Sequence, residues 1–176
     1  MFPDRFETAR LLLRPIAASD AAGIFEGYAQ DAIALRYLSF RPHHGMADTE
    51  AYITRCLATP AESGRTYVLI DSVAGGLLGA FDLRRPQPYR LDCGYVLARA
   101  AWGRGLMTEA LSTVAGWAIR QDAIWRIGGV CDVDNRASAR VMEKAGMLRE
   151  GLLHRWLVHP NLGAEPRDCF CYALAR

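Results

Sequence analysis

The run Trp102-Gly103-Arg104-Gly105-Leu106-Met107-Thr108 sets two glycines and an arginine between an apolar, strand-like segment and a helical pattern. The start of a helix leaves about four backbone N–H groups without intrahelical partners. Its dipole adds roughly half a positive charge there. Positions 103 and 105 have no Cβ, so an anion can come close to the amides. Arg104 adds a full charge, and the Thr108 hydroxyl lies one turn in. This is the chemistry of a pyrophosphate cradle, although a glycine pair at this point also makes a plain tight turn. A Walker loop would continue Gly-Lys-Ser/Thr, whereas Gly105 is followed by Leu-Met-Thr. A dinucleotide fingerprint needs a third glycine three positions on, where Thr108 stands.

A second polar pair lies downstream. Asn135 and Ser138 are one helical turn apart, so both point the same way. Asn135 could also cap its own helix. The remaining reactive types are scattered. The five cysteines include no CxxC pair, which argues against both a disulfide framework and a zinc site. Cys93 has no histidine near it in sequence to activate it. His154 and His159 lack metal-ligand spacing, and no metal is expected. His43 and His44 fall in a loop. The net charge of +2 is too weak to imply a nucleic-acid partner. No apolar run approaches the roughly 20 residues of a membrane span, and no secretory leader is recognisable. The expectation is a cytoplasmic chain.

The elements that must position these residues can be read from the pattern. Thr8–Ile16 reads as a strand. Helices are expected over Ala18–Gln30, with Ala22, Phe25 and Ala29 as its inner face, over Asp31–Leu38, and over Ala47–Thr59, started by Asp48 or Thr49 and carrying a stripe of Ala51, Ile53 and Leu57. Three strand-like runs follow, Thr66–Asp71, Gly76–Arg85 and Tyr89–Ala98, divided by turn material and predicted to form an antiparallel meander. Helix Gly105–Gln121 precedes strand Trp125–Val133. Helix Asn135–Gly146 ends on a left-handed glycine. Strands near Met147–Trp156 and Arg167–Leu174 close the chain. Its length of 176 residues suits one domain, residues 1–176. The order predicts an α/β fold with a mixed, mostly antiparallel sheet of about seven strands and four to five helices. Tyr89–Ala98 and Trp125–Val133 form a parallel pair in its middle.

The segment GYVLARAAWGRGLMTEAL (Gly94–Leu111) resembles the acetyl-CoA signature of the GNAT N-acetyltransferases. It is most similar to the RimJ/RimL-like branch, which acetylates the N-termini of ribosomal proteins. TARLLLRPI resembles that family's first strand, VDNRASARVMEKAGM its second motif, and EGLLHRW and RDCFCYAL the last two strands of the branch. The resemblance implies the GNAT fold and acetyl-CoA as co-substrate. It implies cofactor contacts from Val96, Leu97, Ala98, Gly103, Arg104, Gly105, Met107, Thr108, Asn135 and Ser138. The acceptor it implies is an amine: a protein N-terminus, or alternatively a small amine such as an aminoglycoside, polyamine or amino acid. Dimers are common in the branch, and the sequence leaves the oligomeric state open.

The resemblance also assigns chemistry. A neutral amine would attack the thioester directly. Asp92 stands where the branch often carries an acidic residue and is the candidate base; the alternative is a carboxylate merely paired with Arg90 or with an arginine of the next strand. Met142 replaces the tyrosine that usually protonates the departing thiolate, and a thioether has no proton to give. Ser138 is then the candidate donor, or it holds the pantetheine arm with Asn135. Met142 also keeps open a CoA-binding sensor without efficient turnover. Tyr95 is expected to pack beside the acceptor tunnel, and Asp168 to be structural or acceptor-facing.

Overall fold

The computed structural model describes residues 2–176. Eight strands form one sheet in the order β1-β2-β3-β4-β5-β6-β8-β7. They are Phe6–Glu7 (β1), Leu11–Pro15 (β2), Gly64–Asp71 (β3), Leu77–Gln87 (β4), Arg90–Leu97 (β5), Arg126–Asp132 (β6), Leu148–Val158 (β7) and Pro166–Ala175 (β8). Four α-helices join them: Ala21–Ile24 (α1), Met46–Leu57 (α2), Leu106–Ile119 (α3) and Arg136–Lys144 (α4). The β5–β6 neighbours are parallel and every other pair is antiparallel. This is the expected mixed sheet with its parallel pair in the middle.

The eighth strand, β1, lies just before the first predicted run. The start of that run, Thr8-Ala9-Arg10, is a turn rather than strand and folds β1 back onto β2, Phe6 opposite Leu13. The predicted helix at Asp31–Leu38 is instead a series of turns. Asp31 accepts the N–H groups of Ile33 and Ala34 (3.0 and 3.2 Å) and is also bound by Arg99. That is how a helix cap bonds, but only the Leu35 N–H then closes a full helical turn, onto the Asp31 carbonyl; Arg36 and Leu38 bond back only three residues, and the segment stays a run of turns.

Two inward faces also differ from expectation. The first helical segment turns Ile24, Tyr28 and Ala29 inward, and Ala22 is exposed. It tightens to a 3-10 turn before α1 and widens to a π-helical turn over Phe25–Ala29. In α2 the buried residues are Thr49 and Ile53, with Tyr52 and Cys56 packed beside them, while Leu57 is largely exposed. That face follows the i, i+3/4, i+7 spacing of a helix. The N-cap of α2 is Gly45, and Asp48 reaches back to accept the His44 N–H at 2.8 Å. Asn135 caps α4 as expected, accepting the Ser138 N–H at 3.2 Å.

The sheet buries both faces. On one, Leu13, Tyr67, Leu69, Phe81 and Leu83 pack against Leu106, Ala110, Leu111, Val114 and Ala118 of α3. On the other, Val68, Ala80 and Val96 pack against Ile24, Tyr28 and Ile53. Fully burying one such side chain stabilises by about 1.5–3 kcal/mol.

One contact locks α3 to the first hairpin. The Glu109 carboxylate accepts hydrogen bonds from the Thr8 hydroxyl, the Arg10 N–H at 2.9 Å and the Arg10 Nε at 2.7 Å. Arg10 Nη1 also donates to the Arg104 carbonyl at 2.9 Å. Burial tends to raise the Glu109 pKa, but the bonds from Thr8 and Arg10 outweigh it and hold the group below its ordinary value. A depressed folded pKa contributes stability above the unfolded value of about 4.3, and that contribution is lost as pH falls through the folded pKa. Glu109→Gln should therefore destabilise the chain by about 2 kcal/mol near neutrality, lowering Tm by about 4–8 °C. The gap to wild type should close below pH 4 in thermal melts followed by circular dichroism.

Candidate active site

Strands β5 and β6 pair only at their first residues, Arg90–Asp92 opposite Arg126–Gly128. Beyond this they diverge and a wedge opens. Successive residues of a strand turn their N–H and C=O groups to opposite edges. Ala98 N–H donates to Leu78 O on the β4 side at 2.8 Å. The Leu97 carbonyl accepts the Trp102 indole N–H at 2.9 Å on the other side. By alternation, Tyr95 and Leu97 present their backbone groups to the wedge, while Val96 and Ala98 are spent on β4.

The wedge is the middle of a cleft of about 1420 Å³. At one end lies the Gly103–Gly105 turn, with φ of +73° and +74° at the two glycines. A Cβ at Gly103 would meet nothing within 4 Å; the space above it is open. Gly105 is the N-cap of α3, and no side chain caps the first amides of that helix. The turn, the open space and the free amides fit a pyrophosphate. Open amides on the β5 edge fit the linear, amide-bearing arm that would follow it.

Most predicted binding residues meet on this cleft. Val96, Leu97, Gly103, Gly105, Met107, Thr108, Asn135 and Ser138 all line it. Ala98 and Arg104 are not on its wall. Ala98 is buried in the core beneath α1 and α2. Arg104 leans toward Asp71, Nη2 to Oδ2 3.8 Å.

The candidate catalytic groups are on the wall as well. Asp92 is gripped by Arg90, Nε to Oδ1 3.1 Å and Nη2 to Oδ2 2.9 Å. Ser138 Oγ lies 2.9 Å from the Tyr95 hydroxyl, bridging the wedge from α4 to β5. Sequence reasoning left Tyr95 as packing alone; the signal it lacked was the crossing from strand to helix. Burial raises the Tyr95 phenol pKa above its ordinary value, so this oxygen keeps its proton. Met142 is buried beside them. Burial pushes the Cys93 thiol up to about 12, which leaves it a poor nucleophile at neutral pH. His43 does not line the cleft; it bonds Thr49 at 2.8 Å and packs on Phe40 and Tyr52. Asp168 accepts the Arg155 N–H and sits 2.9 Å from His154, a structural placement.

Residues 10–148 match the family model of the acetyltransferase (GNAT) domain. The chain belongs to the GNAT acetyltransferase family. It is an acyltransferase, an N-acetyltransferase of that family. Over its full length it is 27% identical to YoaA of Bacillus subtilis, described as an uncharacterized N-acetyltransferase, and the match covers 98% of that protein. The solved structure of the microcin C7 self-immunity acetyltransferase MccE, in complex with acetyl-CoA and AMP, superposes with a TM-score of 0.87 at 17% identity, covering 99% of this chain and 98% of MccE. RimL, a ribosomal L7/L12 alpha-N-protein acetyltransferase solved with coenzyme A, gives 0.81 at 19%, covering 96% and 95%. At those identities the two structures share the GNAT fold with this chain. No helix among the described residues is long and apolar enough to cross a membrane.

The cradle makes a direct prediction. Gly103→Val puts a branched side chain into the open space and into a left-handed conformation that costs about 1–2 kcal/mol. Losing even one charge-assisted bond to a phosphate lowers affinity about tenfold or more. Calorimetric titration with CoA should show that loss while the circular dichroism spectrum stays native. Wild-type affinity in the variant would place the phosphates elsewhere.

Proposed function

We propose that the acetyl donor is acetyl-CoA and that the acceptor is a protein N-terminal α-amine, as in the RimJ/RimL-like branch that the motifs resemble. The observation that carries the donor is the open β5 edge leading to an uncapped helix start. Acetyl-CoA would supply an activated acetyl thioester. The amides of the Gly103–Thr108 turn would hold its pyrophosphate, with Met107 and Thr108 at the first turn of α3. Leu97 and Tyr95 would pair with its arm through their backbone, and Asn135 and Ser138 would wall the other side.

The strength of base that the site offers supports the α-amine reading. An α-amine with pKa near 8 needs about 1 kcal/mol to be neutral at pH 7, and a lysine near 10.4 needs about 4–5 kcal/mol. Both Asp92 oxygens already accept hydrogen bonds from Arg90. Such a carboxylate is better suited to orienting an amine, or a water that relays its proton, than to stripping a lysine. On the leaving side, Ser138 Oγ and the Tyr95 hydroxyl form a linked pair. They hold a proton where Met142 cannot, and Ser138 is the nearer to the α4 wall.

Peptides with free N-termini, internal lysines and small amines, incubated with acetyl-CoA and the chain, should acquire one acetyl group on the α-amine in mass spectra. Acetylation confined to lysines, polyamines or aminoglycosides would overturn the acceptor assignment, and no acetylation of any amine would leave a sensor. Ser138→Ala combined with Tyr95→Phe should lower kcat on the order of 100-fold, with a smaller change in KM for acetyl-CoA. Unchanged turnover would return both hydroxyls to packing.

A further inference from the structure

The cleft is unevenly charged at the end away from the glycine turn. Arg84 on β4 stands opposite Asp92 on β5, and Arg90 on β5 stands opposite Arg126 on β6. Cross-strand partners, and residues two apart on one strand, share a face of the sheet. All four side chains therefore project from the same face, and all line the cleft. Arg90 lies seven residues before Leu97, roughly 23 Å along an extended strand. Phosphates held at the turn beyond Leu97 are out of reach of these guanidiniums. The negative charge they suit belongs to the other ligand.

Their pairing is incomplete. Arg90 is matched by Asp92 and Arg126 by Glu150. Arg84 meets Asp82 only through Nε, at 3.2 Å, and is 57% exposed. Its Nη2 lies over Gly94, 3.7 Å from where a Cβ would stand. Arg36, in the segment between α1 and α2, also lines the cleft; its guanidinium lies over the Tyr37 ring, 5.5 Å from the centroid, and it makes no ion pair among the described residues. The wall carboxylates are both taken, Asp92 by Arg90 and Asp134 by Arg167 at 2.7 Å. A polycation entering here finds no free carboxylate, and an anion finds free donors on Arg84 and Arg36.

We propose that the acceptor carries carboxylates beside its amine, as a protein N-terminus followed by acidic residues does, and that Arg84 pairs with the first of them, with Arg36 a second cation on the cleft lining. This rests on the N-terminal acceptor assigned above. Two peptides with the same first residue, one continuing in Asp and the other in Lys, separate the possibilities. The acidic peptide should have a kcat/KM about tenfold or more higher, the equivalent of one charge-assisted hydrogen bond. Arg84→Gln should raise its KM about tenfold and leave the KM for acetyl-CoA unchanged. Arg84→Lys should keep most of the preference, and Arg84→Glu should shift it toward the lysine peptide. Calorimetric titration of the acidic peptide into the chain without acetyl donor gives the same comparison free of turnover. Equal kcat/KM for the two peptides, or an Arg84→Gln variant identical to wild type, overturns this inference and leaves N-terminal acetylation standing. Acetylation of polyamines with neither peptide modified overturns both.

Discussion

The constraint on which the rest of the structure depends is the parting of β5 from β6 after Asp92 and Gly128. A central strand normally satisfies its backbone on both edges, and a buried amide without a partner is unfavourable by roughly 1–3 kcal/mol. Here the inner edge of β5 is left for something else. The protein fills part of it itself, where the Trp102 indole takes the Leu97 carbonyl. What remains is a slot with the hydrogen-bonding pattern of a strand, suited to a linear ligand that carries amides of its own.

An open slot needs rigid walls. The outer wall is braced by β4, whose register with β5 runs from Gly79–Leu97 to Arg84–Asp92. The opposite wall is held at its top by Asp132, whose carboxylate is fully buried and is bound by Arg167 at 2.6 Å. The glycine turn, with two residues in left-handed conformations, has little stiffness of its own. Its position comes from below, through Glu109 on α3 and Arg10 on the first hairpin, which also grips the Arg104 carbonyl. Thr8 and Arg10 are therefore part of the cradle's mounting although they lie nearly a hundred residues away from it.

This distribution explains what the sequence revealed. Features fixed by neighbours along the chain were legible: the Asn135 cap, the meander of β3 to β5, the glycine turn ahead of α3 and the residues of the cleft that stand beside that turn or that cap. Features fixed by distant partners were not. Asp31–Leu38 has helical spacing, but Arg99 pulls on Asp31 at its start and Asn161 from the β7–β8 loop takes the Leu35 and Phe40 carbonyls. The face of α2 shifted because the sheet beneath it, absent from any local pattern, decides which side is inside. Thr8–Glu109, Tyr95–Ser138 and the facing of Arg84 by Asp92 each join residues whose spacing carries no periodic signal.

The same asymmetry separates the two ends of the cleft. The end proposed for the donor offers backbone groups, at the uncapped start of α3 and along the open edge of β5, and backbone placement requires glycines and a helix start that stand together in sequence. The end proposed for the acceptor is lined by side chains from β4, β5, β6 and the loop after α1, and its character is the sum of their charges. Arg84, Arg90 and Arg126 look unrelated in sequence and become a row only when three strands come into register. Like charges set opposite one another on a sheet are destabilising, so a row of this kind is tolerated where carboxylates interleave it, as Asp82, Asp92 and Glu150 do here. What the pairing leaves open is donor capacity rather than charge: Arg84 spends only its Nε on Asp82. An anionic acceptor would thus be bound by guanidinium N–H groups that the sheet leaves to solvent, while a cationic one would have to displace an arginine from its carboxylate.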